Sequence, residues 1–268
     1  MTLQEVMIGE FPIDILIPAL CAGLLVIATH VPLGTQVLQR GIIFIDLAIA
    51  QVAGLGAYLV TMLLGKDAAA IWIQCGAVCL ALIASWLLVA TERLSSRYQE
   101  PVIGIVFALA ATAVILLLAK DPQGGQHLSD LLAGQILWIS HAQIFYSALA
   151  TFVLLAALYF LRRRGSAFYS LFALAITVSV QLVGVYLVFA TLIIPALSSV
   201  AIRAPKTRLL VSYATAVAGY VLGLTGSALF DLPTGPLIVW TLAATGLFSC
   251  FLSRYFVDWQ TGVRTSGR

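Results

Sequence analysis

Charge is what this 268-residue chain lacks. Asp, Glu, Lys and Arg supply 9% of it, against roughly 25% in soluble domains, so no water-facing shell can be assembled from this pool. The first thirteen residues hold Glu5 and Glu10 but no Lys or Arg. A cleaved secretory signal opens with positive charge, so the first apolar run reads instead as a retained span. No basic tract interleaves with aromatics, which excludes nucleic acid as a partner. A phosphate-cradling loop is also missing. Gly65-Lys66 has neither the earlier glycine nor the following Ser or Thr, so any ATP is hydrolysed by another chain and this one is not an enzyme. No Ser/His, His/Glu or paired-Asp set stands mid-span, which argues against an intramembrane hydrolase. The four cysteines, Cys21, Cys75, Cys79 and Cys250, all fall in apolar runs, where a thiol behaves as a small apolar residue. Cys75 and Cys79 share a helix face, but two thiols are half a zinc site, and core packing is the better reading.

Apolar residues are what the chain has: 62% of the sequence, with a mean hydropathy of +1.06. Runs of the ~20 residues that a bilayer-crossing helix needs alternate with short polar breaks. The spans read as 13–30, 42–64, 70–90, 101–119, 142–161, 167–185, 187–203, 209–230 and 234–253. The fold class is therefore all-α, a polytopic membrane protein of about nine spans forming one domain over residues 1–268. The pair 167–185 and 187–203 is short, and Pro195 interrupts its second half. With nine crossings, Arg40, Arg93, Arg97, Arg162 to Arg164, Arg203, Lys206, Arg208, Arg254, Arg264 and Arg268 share one side, and only Lys66 and Lys120 take the other. Cytoplasmic loops carry the Lys/Arg excess, which predicts an outer amino terminus and a cytoplasmic carboxy terminus. The polar stretch from Lys120 to about Ser140, with its Asp121-Pro122-Gln123-Gly124-Gly125 turn, then caps the outer mouth or touches a partner.

Asp46 stands within the second apolar run. An intramembrane carboxylate costs free energy unless something binds it, and so marks a functional-site candidate. The plain alternative is an acid hydrogen-bonded to a neighbouring helix or close enough to the inner face to reach water. In the functional reading, two copies of Asp46 meet across a twofold interface on an ion path. Paired carboxylates with neutral oxygens suit a passing divalent cation. Gln51, five residues on and about 140° around the helix, is the nearest further oxygen donor. Its simpler reading is an interhelical hydrogen bond, as for Gln181 with Thr177 and Ser179. The Gly219-x-x-x-Gly223 spacing, with Gly54, Gly56 and Gly226, permits close helix approach. Pro195 with Ser198 and Ser199 marks a kink or a flexing point. Trp72, Trp138 and Trp240 fall near span ends, as interfacial anchors do.

Three stretches carry a resemblance: residues 40–54 (RGIIFIDLAIAQVAG), 181–196 (QLVGVYLVFATLIIPA) and 231–239 (DLPTGPLIV). In order and spacing they resemble the permease subunits of ABC importers for zinc, manganese and iron, the ABC-3 family, over nearly the whole chain. The second is similar to that family's VVGVLLVSALLIIPAA pattern and the third to its DLPSGATIV connection. The chain departs from the pattern twice. Position 50 is Ala50 where the family commonly places a histidine beside the aspartate. The turn Arg162-Arg163-Arg164-Gly165-Ser166-Ala167 is short where the family often has a longer acidic insert.

The resemblance implies a homodimeric permease in the bacterial inner membrane, importing a divalent transition metal, zinc first and manganese or iron next. Asp46 and Gln51 are its candidate metal contacts. No cofactor is bound permanently; the metal ion is cargo. A separate ATPase would dock on the basic loops, including Arg203–Arg208, and an extracytoplasmic solute-binding protein would deliver the ion. The rivals are a proton-coupled secondary transporter using Asp46 and a membrane scaffold that transports nothing. Secondary transporters usually show repeats and several intramembrane ionisable groups, which the sequence does not display.

Overall fold

The computed structural model describes residues 13–65, 68–92, 96–118, 132, 134, 136–161 and 165–265, with side chains omitted at 13, 91–98, 165–166 and 254–265. Glu5, Glu10, Lys66, Arg93, Lys120, the 121–125 turn, His127 and the Arg162–Arg164 turn lie outside the described residues.

Among the described residues the chain is all helical: α1 (Ile13–Arg40), α2 (Ile45–Leu64), α3 (Ala70–Glu92), α4 (Ser96–Leu118), α5 (His141–Leu161), α6 (Gly165–Val183), α7 (Val185–Ser198), α8 (Pro205–Phe230) and α9 (Thr234–Thr265), with a 3-10 turn at Ile136–Trp138. Seven are long and apolar enough to cross a membrane; α6 and α7 are the shorter apolar pair. The expected all-α polytopic architecture is what the chain forms, and it is a multi-pass membrane protein.

The helices sort into two packed groups. The helices α1, α7, α8 and α9 form one, α2, α3, α4 and α6 the other, and α5 leans on α1 and α6. Without a hydrophobic drive between helices in lipid, small residues and polar pairs must hold such groups together. The α8–α9 seam shows both. A methyl group added at Gly219 would collide with Leu242, and one at Gly223 with Ile238. Across the same seam Thr241 donates to the Gly219 carbonyl at 2.7 Å, and the Thr215 and Ser249 hydroxyls are 2.7 Å apart. The G-x-x-x-G spacing therefore does the close packing expected of it.

The short pair divides at Gly184, beside the predicted boundary at 185–187, and Pro195 does not interrupt its second half. Gly184 has φ +80° and is the only non-helical residue between α6 and α7. A side chain disfavours that conformation, so glycine stands there. Here the chain leaves one helix group for the other. Gly134, in the connection before α5, sits directly against the Val183 carbonyl at this break. Pro195 is carried inside α7, with Ser198 donating to its carbonyl at 2.8 Å. The first helix also exceeds its predicted end: α1 continues through Pro32 to Arg40. Helix ends with basic residues gather at one end of the bundle. Arg40 of α1 lies over the rings of Phe168 and Tyr169 near the start of α6, at 4.3 and 5.6 Å. Gln99 of α4 donates to the Tyr169 hydroxyl at 2.8 Å. Arg203, between α7 and α8, and Lys206, in the first turn of α8, are exposed and stand at this basic end as well.

Two sequence readings need correction. Cys21, Cys75 and Cys79 are exposed, so they do not fill the core. These positions face outward because lipid is as apolar as a core and accepts a thiol equally well. Gln181 is exposed too and does not bridge helices from a buried position. Thr177 is buried and spends its hydroxyl on its own helix, donating to the Ala173 carbonyl at 2.8 Å. Trp72, Trp138 and Trp240 are all exposed, as anchors at a membrane boundary are.

Candidate metal path at the basic end

Asp46 is the second residue of α2, at the basic end of the bundle. The chain reaches it from Arg40 by a tight turn through Gly41, whose φ of +70° glycine tolerates. Its side chain is 1% exposed, and neither carboxylate oxygen has a hydrogen-bond partner among the described residues. The backbone N–H groups of Asp46 and Leu47 lie near the carboxylate without reaching hydrogen-bond geometry. Free N–H groups of a first helical turn favour negative charge through the helix dipole. That is partial compensation only, since a buried charge left without a partner or ligand is strongly unfavourable.

Gln51 is also buried, at 3% exposed. The unbroken helix keeps it about 140° around from Asp46, so the two do not share a face. The meeting of two Asp46 side chains at a protomer surface is not what this conformation presents. Its own chain encloses the carboxylate, so a second copy reaches it only if the surrounding helices part.

Two ionisable residues were passed over in the sequence. His30 was placed at the end of a span; the longer α1 puts it ten residues above Arg40, about 15 Å into the bundle. It is fully buried. Its Nδ1 lies 3.0 Å from the Val26 carbonyl and from the Thr29 hydroxyl, while Nε2 has no hydrogen-bond partner among the described residues. His30 does not substitute for the imidazole that position 50 lacks, because α1 and α2 scarcely touch. The predicted span begins at 101, directly after Glu100. Because α4 starts at Ser96, Glu100 lies within the helix, and α4 packs along α2. Its Oε2 is buried and has no hydrogen-bond partner among the described residues. Glu100 is within electrostatic reach of Asp46. The signal was a Glu-Pro pair ahead of an apolar run, which reads equally well as helix start or loop end. Among the described residues no three His, Cys, Asp or Glu side chains gather as a closed metal site.

Comparison with known proteins gives these features a context. The family model for the ABC 3 transport family matches residues 12–167 and 165–253. A protein of Haemophilus influenzae named as a probable iron transport system membrane protein is 28% identical over 174 residues, a match taking in 56% of this chain and 64% of that protein, just under two thirds of its length. Among solved structures, PsaBC from Streptococcus pneumoniae in complex with Fab superposes with a TM-score of 0.73 at 21% identity, covering 92% of this chain and 95% of that one. An inward-facing ABC transporter assigned to the metal-chelate type superposes with a TM-score of 0.57 at 14% identity, covering 94% and 86%. At such identities the superpositions speak for a shared fold. The family match extends across both helix groups, and on it the chain belongs to the ABC 3 transport family.

Proposed function

We propose that this chain is the permease half of a homodimeric ABC importer for a divalent transition metal ion, zinc, manganese or iron, forming a single transmembrane domain. The observation that carries the reading is Asp46: a buried carboxylate with neither oxygen hydrogen-bonded among the described residues, in a protein of this family. Such a group is stabilised by a cation, and its incomplete ligand set suits an ion that must leave again. Asp46 is the principal contact, and Gln51, further along α2 on another face, supplies a neutral oxygen where the route winds round the helix.

The basic end faces the cytoplasm in this reading, in keeping with the excess of Lys and Arg there. The connection between α7 and α8 is the docking surface for a separate ATPase. Val200, Arg203, Ala204 and Lys206 are exposed on it, while the buried Ser199 and Ser212 hydroxyls, 2.7 Å apart, brace its two ends. A push on this loop is thereby delivered to α7 and α8 together. An extracytoplasmic solute-binding protein delivers the ion at the opposite end. ATP binding then parts the helices that enclose Asp46, exposing it to each side in turn.

The test is uptake of radioactive zinc, manganese and iron by vesicles holding the chain with its ATPase and binding protein. Uptake is expected to need ATP and to vanish in Asp46→Asn while the complex still assembles. Uptake by the chain alone, driven by a pH gradient, would instead assign it to the proton-coupled class.

A further inference from the structure

We infer that Glu100 is a second cation-binding carboxylate, forming with Asp46 a two-carboxylate station at the basic end through which the metal ion leaves. The inference rests on the reading of Asp46 as an ion contact. It adds a residue from another helix, so the station is built across the α2–α4 seam and not on α2 alone.

The placement of the two residues supports this. Asp46 is second in α2 and Glu100 fifth in α4, so both sit within about a turn and a half of the same end of two helices packed along each other. Neither oxygen of Asp46, nor Oε2 of Glu100, has a hydrogen-bond partner among the described residues. The plain alternative is that Glu100 is an acid near a helix start, held there by the dipole and by water. A solvated acid of that kind keeps its oxygens wet, whereas Oε2 of Glu100 is buried. Two carboxylates in electrostatic reach of each other repel. A divalent cation between them turns that repulsion into attraction.

The Arg40 guanidinium lies over the Phe168 and Tyr169 rings, and Gln99 donates to the Tyr169 hydroxyl. Glu100 as a whole is partly exposed while Asp46 is fully enclosed. A gradient of access therefore runs from Asp46 outward to Glu100, the direction an ion takes when it is released at this end. Two carboxylates completed by water or backbone oxygens suit manganese(II) or iron(II) better than zinc, which prefers imidazole and thiolate nitrogen and sulfur. The ligand set also contains no thiolate, so no soft-metal preference is built in.

The test is electron paramagnetic resonance of manganese(II) added to the full chain in lipid nanodiscs, with wild type, Glu100→Gln, Glu100→Asp and Asp46→Asn compared. Each variant is first checked for unchanged elution and helical content. Wild type is expected to remove free manganese signal, Glu100→Gln to weaken binding by about tenfold or more, and Glu100→Asp to keep most of it. Loss of binding in Asp46→Asn with undiminished binding in Glu100→Gln overturns the inference and leaves the reading of Asp46 standing. Undiminished binding in both variants, or none in wild type, overturns both. If Glu100→Gln and Glu100→Asp lose binding together with helical content, Glu100→Ala combined with a zinc and iron(II) competition titration decides. A Glu100→Ala variant that folds and binds as wild type does refutes the station.

Discussion

Asp46 is an acid enclosed by its own chain with no hydrogen-bond partner among the described residues. It is 1% exposed, it begins a helix whose free N–H groups favour its charge, and it makes no hydrogen bond among the described residues. Removing such a charge relieves a desolvation cost and breaks no bond. Asp46→Asn is therefore expected to leave the melting temperature in detergent unchanged or to raise it. A loss of more than about 1 kcal/mol, the worth of a typical hydrogen bond, would show that the carboxylate is held by partners. As a buried acid Asp46 was legible in the sequence, because it stands within an apolar run. Glu100 and His30 were not. Both fell at the edges of predicted spans, and edge residues are ordinarily solvated. Only when α4 proved to begin at Ser96 and α1 to run on to Arg40 did they come inside the bundle.

At the scale of elements, the α6–α7 pair decides how the two helix groups are joined. One residue, Gly184, turns the chain from α6 into α7, and its φ of +80° is a conformation that an L side chain resists. Gly184→Ala is expected to destabilise the protein by about 1 kcal/mol or more. Gly104 is the internal control: it lies within α4, and a methyl group there meets nothing within 4 Å. Gly104→Ala should be neutral or stabilising by up to about 1 kcal/mol, through helix propensity. Thermal unfolding of both variants in the same detergent checks the contrast, and equal effects would remove the special role of the break. The sequence pointed to Pro195 as the interruption of this region. Proline looks decisive in a string of residues, yet α7 is already near its end there. Proline removes only its own N–H from the ladder, and with α7 ending at Ser198 only three residues of helix follow it.

For the whole molecule, the segregation of basic residues sets the orientation expected in the membrane. Arg203 is exposed at the basic end and Trp138 is exposed in the connection before α5. In a background with the four native cysteines replaced, Arg203→Cys is expected to react with a membrane-impermeant maleimide only from the cytoplasmic side. Trp138→Cys should react only from outside. The reverse pattern would invert the orientation and with it the direction of ion movement inferred for Asp46 and Glu100.

The sequence alone was enough to establish that this chain lives in a bilayer, since so little charge leaves no other solvent, and that it is helical, since its apolar runs have the ~20-residue length of helical spans and not the shorter length of barrel strands. It also located the spans to within a few residues in most cases and singled out one carboxylate. Which acids are enclosed, which thiols face lipid, and where two helix groups exchange the chain depended on packing. Those outcomes turn on which face of each helix meets a neighbour. In a chain whose every face is apolar, hydropathy carries almost no information about that choice.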